Sequence, residues 1–287
     1  MGERGTLDPA KKEVSSMEQE IRRLLGNTAV MGRDILYFEE LGSTNTYAKE
    51  LALTDAPEGT VVIADCQTAG RGRMDRSFQS PKGKGLYLTV LLRPQLPPER
   101  LPPERLAQVT ALAGIAVCGA VERVCGVRPG VKWPNDPVLG GKKVCGILTE
   151  LVTDGRGGLC LVLGIGINVA QQREDFTPEV AEMAASLEMM VEKPVSRPAL
   201  AAALLEGLDR AYEALKRGDL EEYRTRYRGD CVNLGRPVRL MGPGGQEEAE
   251  AVDIDRDFGL VVRTPDGGKK TVRSGEVSVR GLYGYAE

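Results

Sequence analysis

The sequence of 287 residues contains no histidine, and this absence excludes several kinds of active site at once. A Ser-His-Asp triad, a Cys-His protease and a His-ligated zinc site all need an imidazole. The six cysteines form no C-x-x-C pair, and a chain of this length has little need of disulfides. We therefore expect free, mostly buried thiols, and any chemistry must rest on lysine, arginine, carboxylates and backbone groups.

Long apolar runs and an excess of positive charge are also missing. No stretch approaches the roughly 18 apolar residues of a membrane helix, and residues 1–16 contain no apolar signal core. The net charge of −3 argues against a general nucleic-acid binder, which needs a basic surface. We expect a cytoplasmic protein that contacts neither membrane nor DNA.

The hydrophobic pattern predicts a short N-terminal extension and two domains. Residues 1–34 hold one short helix. Residues 35–230 alternate buried strands with helices and contain a hairpin signal at Gly140-Gly141, which predicts an α+β domain with a mixed, largely antiparallel sheet flanked by helices. Residues 231–287 contain only short strands with close turns and predict a small β-barrel.

Helix signals lie between the predicted strands. Ser43 or Thr44 is expected to cap one helix. Further helices are predicted at residues 106–126, 178–189, 197–217 and 220–228. The direct repeat LPPERLPPER, residues 96–105, predicts a stiff surface connector, to which we assign no function.

One charged, glycine-rich loop follows a buried strand and begins QTAGRGR, residues 67–73. Gly70 and Gly72 allow the backbone to approach a ligand, and Arg71 and Arg73 supply forked donors that suit a carboxylate or a phosphate. It is not a P-loop, because the GKG that follows lacks the Ser or Thr after the lysine. Taken alone, the loop fits an anion site and a mobile, solvated loop equally well.

Three further stretches shift the balance towards a binding site. KWPND, residues 132–136, places a cation, the only tryptophan and an Asn-Asp pair at the end of a strand. GKKVCGILTE, residues 141–150, puts Lys142 and Lys143 on the paired strand, and GIGINV, residues 164–169, has small residues where a ligand could approach a sheet. Each stretch alone also fits an ordinary role as core filler, strand edge or bulge.

In this order the motifs STN (43–45), QTAGRGR (67–73), KWPND (132–136), KKVCGIL (142–148) and GIGIN (164–168) resemble the biotin protein ligases. The resemblance extends from about Ile35 to the C-terminus, where SGEVSVRG looks like the family's SH3-like domain. It implies the catalytic fold that biotin ligases share with class II aminoacyl-tRNA synthetases, in a form without the N-terminal DNA-binding domain of some members.

The resemblance implies an ATP-dependent, AMP-forming biotin–[biotin carboxyl carrier protein] ligase. Such enzymes convert biotin and MgATP to biotinoyl-5′-AMP and pass biotin to one lysine of a biotin carboxyl carrier domain. Magnesium arrives with ATP rather than on protein ligands, and two chains can pair as a homodimer. The residues expected to bind biotin and the adenylate are Ser43, Thr44, Asn45, Gln67, Gly70, Arg71, Arg73, Phe78, Lys132, Trp133, Asn135, Asp136, Lys143, Gly146, Gly164, Gly166 and Asn168.

Lys143 and Arg73 are the expected catalytic residues. The family pattern K-x-x-G-I-L matches at Lys143, and Lys142 should face solvent because neighbouring residues on a strand point to opposite faces. The chain departs from the family at Phe78, where a tryptophan is usual, and at Asp75, which brings a negative charge to the loop.

The sequence leaves three alternatives to a biotin ligase to be considered. A lipoate-protein ligase-like enzyme shares the catalytic fold, a biotin-dependent transcriptional regulator would need a basic recognition helix that we do not find, and an inactive biotin-binding module would lack Lys143 or Arg73. Comparing pyrophosphate release with biotin and with lipoate separates the first from a biotin ligase.

Overall fold

The structure is a computed structural model that describes residues 15–74, 76–94, 104–242, 245–273 and 278–281. Asp75 and nearly all of the predicted connector at residues 96–105 lie outside the described residues. The six cysteines are all free; five are buried, and Cys66 is half-buried. The expectation of free, mostly buried thiols is therefore confirmed.

A five-stranded sheet forms the centre of the larger domain. Its strand order is β1 (Ile35–Leu41), β2 (Val61–Gln67), β3 (Gly85–Leu92), β8 (Leu159–Asn168) and β7 (Cys145–Thr153). Only the first two strands run parallel, and the other neighbours pair antiparallel. The predicted mixed, largely antiparallel sheet is confirmed.

Helices cover both faces of this sheet. On one face Ala48 and Ala52 of α2 (Thr44–Ala52) share a buried cluster with Val62 and Val162. The opposite face carries the main core, to which α3 (Glu104–Cys125) and α6 (Arg197–Arg217) contribute. The remaining helices are α1 (Ser16–Leu24), α4 (Pro178–Ala181), α5 (Leu187–Val191) and α7 (Glu221–Asp230).

The helix α3 corrects the expectation that no segment approaches the length of a membrane span. Among the described residues, Leu106–Cys125 is one helix that is long and apolar enough by length and composition, with a mean hydropathy of 1.4. Because many of its residues are small, its hydropathy is modest, and the sequence pattern alone did not distinguish it from shorter apolar stretches. Of the apolar stretch within this helix, 78% is buried inside the protein, so packing in the core accounts for its apolar character.

The predicted helix at residues 178–189 is also corrected, because the structure forms α4 and α5 with a break between them. At the break, Lys143 N donates to Met183 O at 2.8 Å and Ala185 N donates to Lys143 O at 3.0 Å. Ser186 then caps α5 by accepting from Met189 N. The segment thus gives up helical turns to pair with the strand that carries Lys143.

A three-stranded sheet made of β4 (Gly130–Lys132), β5 (Asp136–Leu139) and β6 (Lys142–Lys143) packs beside the main core. The turn between β5 and β6 holds Gly140 and Gly141 at φ values of 54° and 74°. Positive φ at both central residues is what a tight hairpin turn requires, and glycine adopts it without strain. The predicted hairpin is confirmed, and it brings Lys143 close to β5.

The C-terminal part is a separate antiparallel sheet, as the fold prediction required. Its order is β12, β11, β10, β9, β13, and all described pairs are antiparallel. The strands are β9 (Pro237–Gly242), β10 (Gly245–Ile254), β11 (Leu260–Arg263), β12 (Lys269–Val272) and β13 (Ser278–Gly281).

A buried carboxylate fixes the segment that leads into β1. Asp209 on α6 accepts hydrogen bonds from the backbone N–H groups of Ala29, Val30 and Met31 at 2.8–2.9 Å. The carboxylate takes the place of water as the acceptor for these three N–H groups, which make no hydrogen bond within a helix or a sheet. The entry to the central sheet therefore depends on this one residue.

Replacing Asp209 with alanine should lower the free energy of unfolding by about 3 kcal/mol, because buried N–H donors lose their acceptor. Urea denaturation gives the difference, with exposed Asp219→Ala as the matched control, which should change stability by less than about 0.5 kcal/mol. A loss below about 1 kcal/mol for Asp209→Ala would show that water or a backbone shift replaces the carboxylate.

Candidate active site

A cavity with a volume of about 50 Å³ opens on the sheet face that α2 covers, beyond the N-terminus of this helix. Helix α2, the charged loop, β7, β8 and the hairpin all contribute to its wall. The predicted site residues that line it are Ser43, Thr44, Asn45, Gln67, Arg71, Arg73, Phe78, Asn135, Lys143, Gly146, Gly164 and Gly166. Motifs that are far apart in the sequence thus meet around one space.

The end of the cavity next to α2 is lined by uncharged polar groups. Thr44 donates to Gln67 Oε1 from its backbone N at 2.9 Å and from its Oγ1 at 3.1 Å. Gln67 Nε2 in turn donates to Ser80 Oγ at 2.8 Å. Ser43 occupies the predicted N-cap position, but its side chain makes no capping bond. This end can therefore hold a neutral ligand that both donates and accepts hydrogen bonds.

A buried network lies directly beneath these groups. Asn45 Oδ1 accepts from Thr89 Oγ1 at 2.7 Å, and Asn45 Nδ2 donates to Glu150 Oε2 at 2.9 Å. Lys49 Nζ lies 2.6 Å from Glu150 Oε1, and Arg71 Nη1 lies 3.7 Å from the same oxygen. Glu150 therefore joins α2, β7 and the charged loop.

Glycines form the floor of the cavity. Gly146 on β7 and Gly166 on β8 lie opposite each other in register, and the Phe78 ring covers both. A Cβ added at Gly166 would lie 2.6 Å from Phe78 Cε1, and one added at Gly164 would lie 2.0 Å from Asn45 Oδ1. Larger residues cannot replace these glycines without moving the side chains above them.

The charged loop folds back on itself as a tight hairpin. Gly72 N donates to Arg76 O at 2.7 Å, and Phe78 N donates to Gly70 O at 2.9 Å. Arg73 Nη1 donates to Asn135 Oδ1 at 3.0 Å. Burial lowers the pKa of Arg73, against the opposing effect of the Asp136 carboxylate. A half-buried guanidinium with few anionic neighbours is prepared to receive an anion.

Lys143 is a second cation that lines the cavity. Its Nζ lies 2.6 Å from Asp136 Oδ1, and its side chain lines the cavity. Lys142 is on the other side of the hairpin, where its Nζ donates to the backbone oxygen of Glu182 at 2.5 Å. The two neighbours therefore face opposite ways, as alternation along a strand requires.

Five predicted site residues are not brought to the cavity wall: Gly70, Lys132, Trp133, Asp136 and Asn168. For Trp133 the prediction of direct ligand contact is corrected, because its ring is 2% exposed in the core and Nε1 donates to Phe258 O. Asn168 donates to Ala185 O, and Gly70 lets the loop close against Phe78 O. Lys132 is buried at the end of β4, and Asp136 reaches the site through Lys143.

Residues outside the predicted set complete the site. Gly72, Leu88, Ile147, Leu148 and Ile165 line the cavity, and Thr89 and Glu150 hold Asn45 from below. The apolar members gave no signal that separates them from other core strands. Thr89 did give one, since it is the single polar side chain in the buried run GLYLTVLL.

The donor set of the site suits anions rather than a protein-bound metal. Within the described parts of the chain, no group of three or more His, Cys, Asp or Glu residues could hold a metal ion. Three cations instead line the cavity: Arg73 next to Asn135, Lys143 next to Asp136, and Arg71 close to Glu150. The arrangement can bring a carboxylate and a phosphate together by neutralising both.

Glu150 makes the stability of this network depend on pH. Burial favours its neutral form, but the hydrogen bonds from Lys49 and Asn45 outweigh that effect and lower its pKa. A lowered pKa stabilises the folded protein above the ordinary glutamate pKa of roughly 4.3, and this stabilisation is lost as the pH falls through the folded-state value.

The difference in free energy of unfolding between wild type and Glu150→Gln should therefore be largest near neutral pH and shrink on acidification below about pH 4. Urea denaturation over a pH series measures it, with half-exposed Glu20→Gln as the control. A difference that stays constant from neutral to acid pH would contradict the network described above.

Comparison with known proteins places this geometry in a family. A model of the biotin/lipoate A/B protein ligase family matches residues 37–168, and a model of the biotin protein ligase C-terminal domain matches residues 234–280. The bifunctional ligase/repressor BirA of Bacillus subtilis strain 168 is 36% identical over 91% of this chain and 78% of its own length.

Two further relatives match at close to full length. The biotin–[acetyl-CoA-carboxylase] ligase of Mycobacterium tuberculosis is 31% identical over 91% of this chain and 94% of its own. The structure of the Aquifex aeolicus biotin protein ligase in complex with biotin and ATP superposes with a TM-score of 0.75, at 30% identity over 87% of this chain and 99% of that chain. From its sequence, fold and cavity, the chain belongs to the biotin protein ligase family.

Proposed function

We infer that the protein is a biotin protein ligase, which activates biotin as biotinoyl-5′-AMP and transfers it to an acceptor lysine. The observation that carries this function is the cavity itself. It is lined by uncharged polar groups beside α2 and by the cations Arg71, Arg73 and Lys143, over a floor of glycines. Neither a lipoate ligase nor a transcriptional regulator is needed to explain this arrangement.

In the first half-reaction a carboxylate oxygen of biotin forms a bond to the α-phosphorus of ATP, and the bond from that phosphorus to pyrophosphate breaks. Biotin arrives ionised, so no general base is needed, which agrees with a chain that has no histidine. The barrier arises because two anions approach each other. Arg73 and Lys143 would lower it by neutralising the developing charge and holding the in-line geometry.

In the second half-reaction the neutral amine of the acceptor lysine attacks the acyl carbon, AMP leaves with the electrons of the broken bond, and the nitrogen releases one proton to solvent. The acceptor we propose is a biotin carboxyl carrier domain. Asp136 would hold the Lys143 ammonium in place beside the leaving AMP, since the Asp136 carboxylate lies 2.6 Å from Lys143 Nζ. Magnesium enters as part of the MgATP substrate.

The individual assignments follow from position in the cavity. Ser43, Thr44, Asn45 and Gln67 would hold the neutral ring system of biotin, and Arg71 would bind the phosphate with Arg73. Phe78 would stack on the nucleotide base above Gly146 and Gly166, with less area than the tryptophan usual in the family. The supporting residues would be Gly70, Lys132, Trp133, Asp136, Gly164 and Asn168.

The experiment that tests the function is incubation of the protein with ATP, magnesium, labelled biotin and a carrier domain. Label should appear on one lysine of the carrier, and pyrophosphate release should depend on biotin. Pyrophosphate release with lipoate in place of biotin, at equal or greater rate, would reassign the enzyme to the lipoate ligases.

Other features of this chain remain proposals. We propose that it does not bind DNA, which its net charge of −3 supports and a gel-shift assay tests. We also propose a cytoplasmic location, a division into a catalytic domain at 35–230 and a C-terminal domain at 231–287, and pairing as a homodimer. Analytical ultracentrifugation with and without biotin and ATP tests the last of these.

A further inference from the structure

The segment from Trp133 to Asp136, here called the aligning loop, contacts both cations proposed to be catalytic. Asn135 Oδ1 accepts from Arg73 Nη1 at 3.0 Å, and Asp136 Oδ1 lies 2.6 Å from Lys143 Nζ. Arg73 comes from the charged loop and Lys143 from the hairpin, so the aligning loop is the part of the chain that sets one relative to the other. Any shift of this loop would move both charges.

The back of the aligning loop is fastened by groups that follow the catalytic motifs in sequence. Trp133 N donates to Asn233 Oδ1 at 2.7 Å, and Trp133 Nε1 donates to Phe258 O at 2.9 Å. The Tyr227 hydroxyl, on α7, donates to Pro134 O at 3.0 Å. Tyr227 is fully buried and is not among the residues that line the cavity, yet it contacts the residue next to Asn135.

The acceptor on the C-terminal side is held in a fixed direction. Phe258 has a φ of 63°, a conformation that residues other than glycine seldom adopt and that persists only where the surroundings impose it. Its N–H donates to Asp255 O at 3.1 Å, and its ring packs edge-on against Tyr227 with centroids 5.5 Å apart. The Phe258 carbonyl therefore points at Trp133 from a rigid turn.

We propose that Tyr227 is a positioning residue for adenylate formation, acting through the aligning loop on Arg73 and Lys143. This rests on the proposed function. The Tyr227 hydroxyl, the Phe258 carbonyl and Asn233 Oδ1 hold the loop at three points. The loop holds both cations in line with the reacting carboxylate and phosphate. The biotin ring end of the cavity is independent of Tyr227, because Thr44 and Gln67 are held by α2 and β2.

The test compares Tyr227→Phe with Tyr212→Phe, a matched control that also removes the hydroxyl of a buried tyrosine, one that donates to Glu58 and not to the aligning loop. Single-turnover adenylate formation should slow about tenfold in Tyr227→Phe, as expected when two catalytic charges lose their alignment. The dissociation constant of biotin alone, measured by calorimetry, should stay within about twofold of wild type. Tyr212→Phe should form adenylate at the wild-type rate.

A second variant, Trp133→Phe, keeps an aromatic ring but removes the donor to the Phe258 carbonyl, and it should show the same split between rate and biotin affinity. Adenylate formation within twofold of wild type in Tyr227→Phe would overturn the proposal, as would equal slowing in Tyr212→Phe, which would mean lost stability rather than lost alignment. If wild type itself formed no adenylate from biotin and ATP, the proposed function would fail as well. The wild-type reaction therefore separates the two.

Discussion

Replacing Lys143 with alanine should slow adenylate formation by about a hundredfold to a thousandfold, whereas Lys142→Ala should leave it nearly unchanged. Lys143 lines the cavity and lies 2.6 Å from Asp136, while Lys142 donates to a backbone oxygen on the outer side of the hairpin. A fixed ammonium next to the merging carboxylate and phosphate is worth several kcal/mol only to the residue that faces them.

Single-turnover adenylate formation with saturating biotin and ATP gives the two rates directly. Lys142→Ala is a matched control, because it removes the same side chain from the adjacent residue of the same strand. If Lys142→Ala were the slower enzyme, the facing of β6 described here would be wrong. If neither variant were slowed tenfold, charge neutralisation by lysine could not be the source of catalysis.

Lys143 could be placed from the sequence because a local rule separates Lys142 from Lys143 and the family pattern K-x-x-G-I-L then selects Lys143 as the residue that faces the cavity. The Gly140-Gly141 turn fixes the register of the hairpin, and alternation along the strand then assigns Lys142 and Lys143 to opposite sides. The charged loop was predicted to be a site only together with the other motifs, because its glycine and arginine spacing alone fits an anion site and a solvated loop equally well. The separation of Lys142 from Lys143, by contrast, has its structural cause within a few residues of the side chains.

Trp133 could not be placed in this way, because its partner lies elsewhere in the sequence. Its indole N–H donates to the carbonyl of Phe258, which lies 125 residues further along the chain. Phe258 lies in a turn with a positive φ that no local sequence pattern predicts. A tryptophan beside a polar motif is as compatible with a ligand contact as with a core position. Only the docking of the C-terminal sheet decides between them.

The break between α4 and α5 has a similar origin. Residues 178–189 have helical propensity, but Met183 and Ala185 exchange backbone hydrogen bonds with Lys143 instead. Tertiary pairing therefore overrides local preference where this segment passes the proposed catalytic lysine. These backbone hydrogen bonds support the hairpin from its outer side and hold Lys143 at the cavity.

Gly164→Ala should weaken the binding of biotin by about a hundredfold, because overpacking and the loss of buried hydrogen bonds act together on Asn45. A Cβ at residue 164 would lie 2.0 Å from Asn45 Oδ1 and 2.8 Å from its Cγ, so the amide must leave its place. In leaving, it gives up its bonds to Thr89 and Glu150. The N-terminus of α2, which carries Ser43 and Thr44, would then lose its support.

Calorimetry with biotin alone measures this effect without any contribution from ATP. Gly119→Ala on α3 is the control: nothing lies within 4 Å of its Cβ, and alanine in a helix should stabilise the protein by roughly 0.5–1 kcal/mol without changing affinity. The double variant Gly164→Ala/Asn45→Ala identifies the cause. If the clash with Asn45 is responsible, the double variant should bind biotin no more weakly than Asn45→Ala alone, because the side chain that collides has been removed. Fully additive losses would instead mean that Gly164 is needed for direct contact between the sheet backbone and biotin.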